Sequence, residues 1–376
     1  MALNIKVTAS YMERFLRLLH VVVKKNKNRL LHTFKEREIM ADLTVSYLGL
    51  KLKNPIIAGA SYLTADMKTI KKIEESGAGA IVIKSLFEEE IQLQQFKMDE
   101  DMVKFNDRNA EMLDFFPKLE HAGPEEHLMW ITKTKETVSI PVIASLNAVD
   151  LGTWTQWARK IESAGADALE LNLIDFPEDF KKTAGDLEDD QISIIRAVRD
   201  TIKIPISVKI SSNYTNPLNF INRIDEAHAD GVVLFNRYFE PDINNENLEN
   251  TFPFNLSNRG DYRRSLRFTG LAAGHFKADI CGSCGIFEGN DVIKMILAGA
   301  CCIQVVSTLY RNGVSHLETM LTELNLWMEK KGFTSIDKFR GMLQKDKIAD
   351  PWTYTRAQYV KLLMHPQKII NNYPVL

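Results

Sequence analysis

The stretch ESAGADALELNL, Glu162 to Leu173, decides the fold. A charged helical pattern ends at Ser-Ala-Gly, and an apolar run starts at once and stops on an asparagine. The glycine supplies a left-handed helix cap, and Ala-Leu-Glu-Leu suits a strand covered on both faces. The same unit recurs as ESGAGAIVIKS (Glu75–Ser85), AHADGVVLFNR (Ala227–Arg237) and LAGACCIQVVS (Leu297–Ser307). Two more strands follow Ile-Pro, in IPVIASLN (Ile140–Asn147) and IPISVKIS (Ile204–Ser211). NPIIAGAS (Asn54–Ser61) opens the series, and KADICGSCG (Lys277–Gly285) supplies the strand before the last.

Eight strands alternating with helices predict an α/β protein of the (β/α)8 TIM-barrel class. An open doubly wound sheet is the competitor, but the first strand is followed by AGASYLTADM, which lacks the Gly-rich turn expected there. Ahead of that strand, DLTVSYLGLKLKNP alternates around Leu-Gly like a short hairpin able to close the barrel floor. Two connections are long, roughly 86–125 after the second strand and 238–270 after the sixth, as expected of binding loops. The domain reading is a basic extension over 1–40, a barrel over 41–345, and a tail over 346–376 containing a docked helix.

The chain has 376 residues, is 45% hydrophobic and 26% charged, and carries a formal net charge of −2. That balance leaves no overall electrostatic footprint for nucleic acid. No apolar run reaches the ~20 residues of a membrane span. Four cysteines in a chain of this length fit a reducing compartment, so a cytoplasmic location is expected. Residues 1–40 hold nine Lys/Arg against three Glu, which we read as a solvated basic face in preference to a membrane contact.

In a barrel of this class, chemistry sits at the C-terminal strand ends. Those ends carry Ala60-Ser61, Lys84-Ser85, Asn147, Asn172 with Asp175, Lys209 with Ser211, Asn236-Arg237, Gly282-Ser283 and Ser307-Thr308. A lysine ending a hydrophobic strand is costly unless paired. Two of them converging with amides predict an anionic or carbonyl-rich ligand. The glycine- and serine-rich loops CGSCGIFEGND and VVSTLYRNG follow strands seven and eight, where barrels of this kind hold phosphate. A phosphate tail with a ring between two lysines points to FMN, whose reduced form a cation would stabilise.

Cys281 and Cys284 also spell Cys-x-x-Cys. With Cys281 and Cys284 at the top of strand seven and Cys301 and Cys302 at the bottom of strand eight, a six-residue strand would separate the pairs by roughly 20 Å. One four-thiolate site is therefore not expected, and no metal site is.

The residues quoted so far, with KGFTSIDKFRGML near the end, resemble the class 1 dihydroorotate dehydrogenases over about residues 41–345. IASLNAVDLGTWTQWARKIESAGADALELNL is also similar to the FMN domain of dihydropyrimidine dehydrogenase. KSLFEE and VLFNR resemble the bacterial dihydroorotate dehydrogenase-like proteins. The resemblance implies an FMN-dependent oxidoreductase that removes a proton from one carbon and a hydride from its neighbour. It implies flavin contacts at Lys84, Ser85, Asn172 and Lys209, substrate contact at Asn236 and at Lys84 and Asn172, and phosphate loops at Gly282, Ser283, Cys284, Gly285 and Ser307. Ala60, Ser61, Asn147 and Thr308 join the cofactor set from their strand-end positions.

One departure stands out. Where the family reads Asn-Leu-Ser-Cys-Pro-Asn, this chain reads Asn172-Leu173-Ile174-Asp175-Phe176-Pro177. The family's cysteine base aligns with Asp175. An ordinary Asp has a pKa of about 3.9 against about 8.5 for Cys, so it is the weaker base unless burial raises it. Tyr62, Tyr238 and His275 are the other acid candidates. Three readings stay open: a dehydrogenase of a small planar anion, dihydroorotate or a related dihydropyrimidine; an FMN-binding electron-transfer partner without that turnover; and a non-flavin barrel gripping a phosphate. A second copy of the chain and an electron-acceptor protein are the partners considered.

Overall fold

The computed structural model describes residues 41–93, 124–174, 176–253, 256–365 and 371. The basic segment 1–40, residues 94–123 of the long connection, and Asp175 lie outside the described residues.

A short antiparallel hairpin comes first, β1 (Val45–Tyr47) and β2 (Leu50–Leu52), with Val45 opposite Leu52. Its turn residues Leu48 and Gly49 both have positive φ, 55° and 74°, the two-residue geometry that matches strand twist. The first barrel strand is β3 (Ile56–Ala58), followed by helix α1 (Met67–Glu75) and β4 (Ala80–Val82). Asp66 starts α1 by accepting from the Thr69 N–H at 2.9 Å, and Ile70 and Ile73 face the sheet. After β4, the short strand β5 (Leu86–Phe87) pairs beside β6, and residues 88–93 are helical.

The pattern then runs α2 (Pro124–Thr137), β6 (Val142–Asn147), α3 (Leu151–Ser163), β7 (Ala168–Asn172), α4 (Ala184–Thr201), β8 (Ile206–Ile210), α5 (Pro217–Glu226) and β9 (Gly231–Leu234). The connection after β9 carries its own exposed hairpin, β10 (Asp242–Asn244) with β11 (Glu249–Thr251), before α6 (Tyr262–Ala272). The last units are β12 (Asp279–Gly282), α7 (Gly289–Ala298), β13 (Cys302–Val305), α8 (Ser307–Asn312) and α9 (His316–Lys331). A final helix, α10 (Arg356–Leu363), follows a turn in which the Tyr354 hydroxyl donates to the Leu343 carbonyl at 2.5 Å.

Strands β3, β4, β6, β7, β8, β9, β12 and β13 pair in parallel in that order, and β13 returns to β3 with Ile303 opposite Ile56. The closed ring is the (β/α)8 TIM barrel expected of the repeat. Residues of β3, β4, β6, β7, β8, β9 and β13 are buried throughout, as strands covered by helices outside and side chains inside must be.

The hairpin plugs the barrel floor. Tyr47 and Leu48 are buried, and the Leu48 N–H donates to the Asp279 carboxylate at 2.8 Å. Gly231 makes room for them, since a Cβ there would lie 2.5 Å from the Leu48 side chain. Burial pushes the Tyr47 phenol far above its usual range, helped by Cys281, Cys302 and Glu170 beside it.

The cysteines are arranged differently from the sequence expectation. Cys281 is not 20 Å from Cys302; the two face each other in register across β12 and β13, both fully buried. The expectation measured length along one strand, whereas the stagger between neighbouring strands sets which residues meet. Cys301 donates to Asp279, and burial, with that carboxylate next to it, pushes its thiol up to about 12. All four cysteines are free thiols, and no group of three metal-ligating side chains occurs among the described residues.

Two predictions follow from this packing. A Cβ on Gly79, in the turn that feeds β4, would lie 2.2 Å from the Asn54 carbonyl oxygen, a backbone atom that cannot swing away. Gly79→Ala should therefore cost about 1–3 kcal/mol, read as a lower denaturation midpoint in urea.

The second concerns His127 on α2, which is buried with no hydrogen-bond partner for Nε2 among the described residues. Burial, with a smaller push from Lys84, lowers its pKa from 6.5 to about 4. The folded state thus binds fewer protons than the unfolded chain between those values. Its contribution is intact above pH 6.5 and is lost as the pH falls toward about 4. The loss should reach roughly 3 kcal/mol. His127→Leu should flatten this part of the stability-against-pH curve, and an unchanged slope would contradict the assignment.

Candidate active site

A cavity of ≈ 710 Å³ opens at the C-terminal ends of the barrel strands. Its volume falls in the range of cofactor and substrate sites. Ala60, Ser61, Lys84, Ser85, Asn172, Lys209, Asn236, Ser283, Cys284, Gly285 and Ser307 all line it. Residues from seven of the eight strand ends therefore meet at one place.

The floor is made by side chains that rise from inside the barrel. Lys209 on β8 donates to the Gln304 side-chain oxygen on β13 at 3.0 Å, and its Nζ lies 3.6 Å from Oε1 of Glu170 on β7. The Gln304 amide in turn donates to the other Glu170 oxygen. Glu170 is fully buried and Lys209 nearly so. An ammonium has three donors; among the described residues the Lys209 ammonium makes one hydrogen bond, which leaves capacity for a ligand above it.

Lys84, just past β4, sits on the side wall. It pairs with Glu90 at 2.6 Å and lies 5.5 Å from the Tyr62 ring centre. The Ser85 hydroxyl shares a 2.7 Å hydrogen bond with Ser145 of β6 behind it. Across the cavity, Asn236 donates to the Asn172 side-chain oxygen at 2.7 Å. Asn147 does not line the cavity. It donates to the Asn172 backbone carbonyl at 2.6 Å and holds that strand end from behind.

The remaining wall is a cradle of small residues between β12 and β13. Cys284 and Gly285 both take left-handed backbone, with φ of 66° and 65°. At Gly285 a Cβ would lie 2.7 Å from both the Asp261 Cβ and the Tyr262 nitrogen. The Gly285 N–H donates to the Ser257 hydroxyl at 3.1 Å, and that hydroxyl meets the Ser307 hydroxyl at 2.7 Å. Such a concentration of N–H and O–H groups suits the oxygens of an anion. Gly282 and Thr308 lie behind it: Gly282 faces Met295 of α7, and Thr308 donates to the Phe287 carbonyl. Burial raises the Cys284 thiol, with Lys209 and Arg237 opposing, and its Sγ donates to the Phe235 carbonyl at 3.1 Å. It is a neutral donor here.

Of the acid candidates, Tyr62 and Tyr238 line the cavity, and the Tyr238 hydroxyl donates to the Leu173 carbonyl at 3.3 Å. Phe176 also lines it and packs 4.8 Å from the Tyr238 ring. His275 is corrected: α6 ends at Ala272, so His275 belongs to the turn entering β12, on the floor side, where it pairs with Asp346 at 2.8 Å. Asp175 lies outside the described residues.

Sequence reasoning gave no role to Glu90, Ser257, Gln304 or Glu170. The last two carried a readable signal, since each is a lone polar residue inside an apolar strand. Ser257 reaches the site from the loop before α6 and Glu90 from the short helical segment after β5, and nothing in their local sequence announces it.

The sequence matches the family model of dihydroorotate dehydrogenase over residues 42–328. It is 28% identical over 311 residues to the catalytic subunit of dihydroorotate dehydrogenase B (NAD(+)) of Thermoplasma volcanium, covering 81% of this chain and 100% of that protein. The counterpart of the same name in Methanocaldococcus jannaschii is 24% identical over 311 residues, covering 80% of this chain and 97% of its own. No helix among the described residues is long and apolar enough to cross a membrane. A closed barrel, a strand-end cavity with two lysines and a serine–glycine cradle, and a family match across most of the chain agree: the chain belongs to the dihydroorotate dehydrogenase family.

Proposed function

We propose that this protein is an FMN-dependent oxidoreductase of the dihydroorotate dehydrogenase type, acting on a small planar anion such as dihydroorotate or a related dihydropyrimidine. One observation carries the reading: Lys84 and Lys209 line a single cavity that the Ser257–Gly285–Ser307 cradle also lines. The cradle would hold the FMN phosphate, with Ser283 and Cys284 alongside. Lys209, with donors to spare on the floor, would meet the polar edge of the ring, and Ser85 would support it from the side. FMN, when bound, supplies the hydride acceptor.

The chain's own residues would position the substrate and move the proton. Asn172 and Asn236, locked to each other at 2.7 Å, offer amide groups to carbonyl oxygens, and Lys84 offers a cation to a carboxylate. Asp175 is the proposed base, on the connection that also carries Phe176. A carboxylate takes that role only if its surroundings are apolar enough to raise its pKa from about 3.9. Electrons would leave to a separate acceptor, and the curated relatives above are named as catalytic subunits.

The substitution of the family's cysteine by Asp175 favours a second reading, an FMN protein of this family that relays electrons or takes another substrate. Anaerobic mixing distinguishes the two. The first predicts that FMN-loaded protein loses its flavin absorbance on adding dihydroorotate; retained FMN with no bleaching supports the second. A folded protein that takes up no FMN would refute both.

Asp175→Asn supplies the next test. It should leave FMN bound and lower the rate of flavin reduction by the reactive substrate by 10²-fold or more, the usual scale for a general base. A rate within a few-fold of the parent would remove Asp175 from the mechanism.

A further inference from the structure

We infer that Glu170, one layer beneath the active-site cavity, is a positioning residue that sets the redox balance of the bound cofactor through Lys209. The inference rests on the FMN reading above and goes beyond it by assigning a role to a side chain that does not line the cavity.

Glu170 has no exposed surface, and it is the middle residue of a strand whose other members are alanine, leucine and asparagine. A carboxylate in such a place is costly unless paired. Its partners come from the strand on one side and from across the barrel. Lys209 on neighbouring β8 lies at 3.6 Å from Oε1, and the Gln304 amide of β13 donates to Oε2. Gln304 closes the triangle by accepting from Lys209 at 3.0 Å. Two of the three, Lys209 and Gln304, line the cavity; Glu170 does not.

The geometry gives each group a distinct task. Gln304 has one donor and one acceptor end, so it can tie the carboxylate to the ammonium only in a single orientation, which fixes the position of Nζ. Glu170 supplies the counter-charge. Without it, Lys209 would present an unbalanced positive charge to the cavity; with it, part of that charge is offset from below. A group above the lysine that gains negative charge on reduction feels the difference, because charge interactions are weakly screened in a buried site. Glu170 thus makes the bound flavin harder to reduce than Lys209 alone would. Ser207 on the same level and the Tyr47 phenol below are neutral, so within this layer the carboxylate is the natural opponent of the lysine.

The test is a graded pair of substitutions read by the midpoint potential of bound FMN. Glu170→Gln removes the charge and keeps the shape. Glu170→Asp keeps the charge and withdraws it by one methylene. The flavin absorbance of each purified variant reports that the barrel and its cavity are intact. Glu170→Gln should shift the equilibrium toward reduced flavin at least tenfold, about 30 mV for a two-electron couple. Glu170→Asp should move it the same way by less. Should the glutamine variant fail to fold, the aspartate variant alone decides by its sign. A potential unmoved, or moved downward, in a variant that retains FMN overturns the inference while leaving the flavin reading intact. Parent protein that binds no FMN overturns the flavin reading itself, and this inference with it.

Discussion

The closure of β13 onto β3 is the constraint on which the rest of the molecule depends. Once the parallel ladder returns to its first strand, it has no edge, and the interior becomes a fixed volume that side chains must fill. Helices can cover the outside with aliphatic faces such as Ile70 and Ile73 of α1 or Ile192, Ile195 and Val198 of α4. The inside has to be stacked from bottom to top, and this chain does so in three different ways.

At the bottom, a segment that is not part of the ring does the filling. The β1–β2 hairpin inserts Tyr47 and Leu48, Asp279 anchors its turn, and Gly231 leaves the space. In the middle, polar groups that could not stand alone in such a place meet one another: Gln304 hydrogen-bonds both Lys209 and Glu170, and the two charges pair at 3.6 Å. At the top, nothing from the ring fills the space, and the strand ends surround a cavity instead. The site is therefore the unfilled upper layer of the same stack, and its floor is the upper edge of the polar layer. The connections complete it: Glu90, in the helical segment after β5, braces Lys84, and Ser257 enters the cradle of Gly285 and Ser307 from its loop.

How much of this was readable beforehand depended on the range of the interaction responsible. The repeat of glycine cap and apolar strand is local, so all eight strands were legible, and with them the end of the barrel where Lys84, Asn172, Lys209 and Asn236 had to gather. The hairpin turn was legible for the same reason, because Leu-Gly between alternating residues is a local signal. His275 was misjudged because its place relative to the end of α6 turns on where that helix stops. The strand-end position of Asn147 points to the cavity, yet its side chain turns sideways to the Asn172 carbonyl, a choice made by the neighbouring strand. The cysteine distances failed because register between strands cannot be counted along one strand.

The chain alone was enough to set out the barrel, its polarity and the residue types at the strand ends where the cavity lies. Those follow from periodicity and from the cost of burying charge, both of which act within a few residues of chain. The folded ring settles which of those residues share a cavity, that Cys281 faces Cys302, and that the lysine on β8 is held by a carboxylate on β7 through an amide on β13. Gln304 stands 134 residues from Glu170, and their meeting is fixed by ring closure and stagger, which no local stretch of sequence encodes.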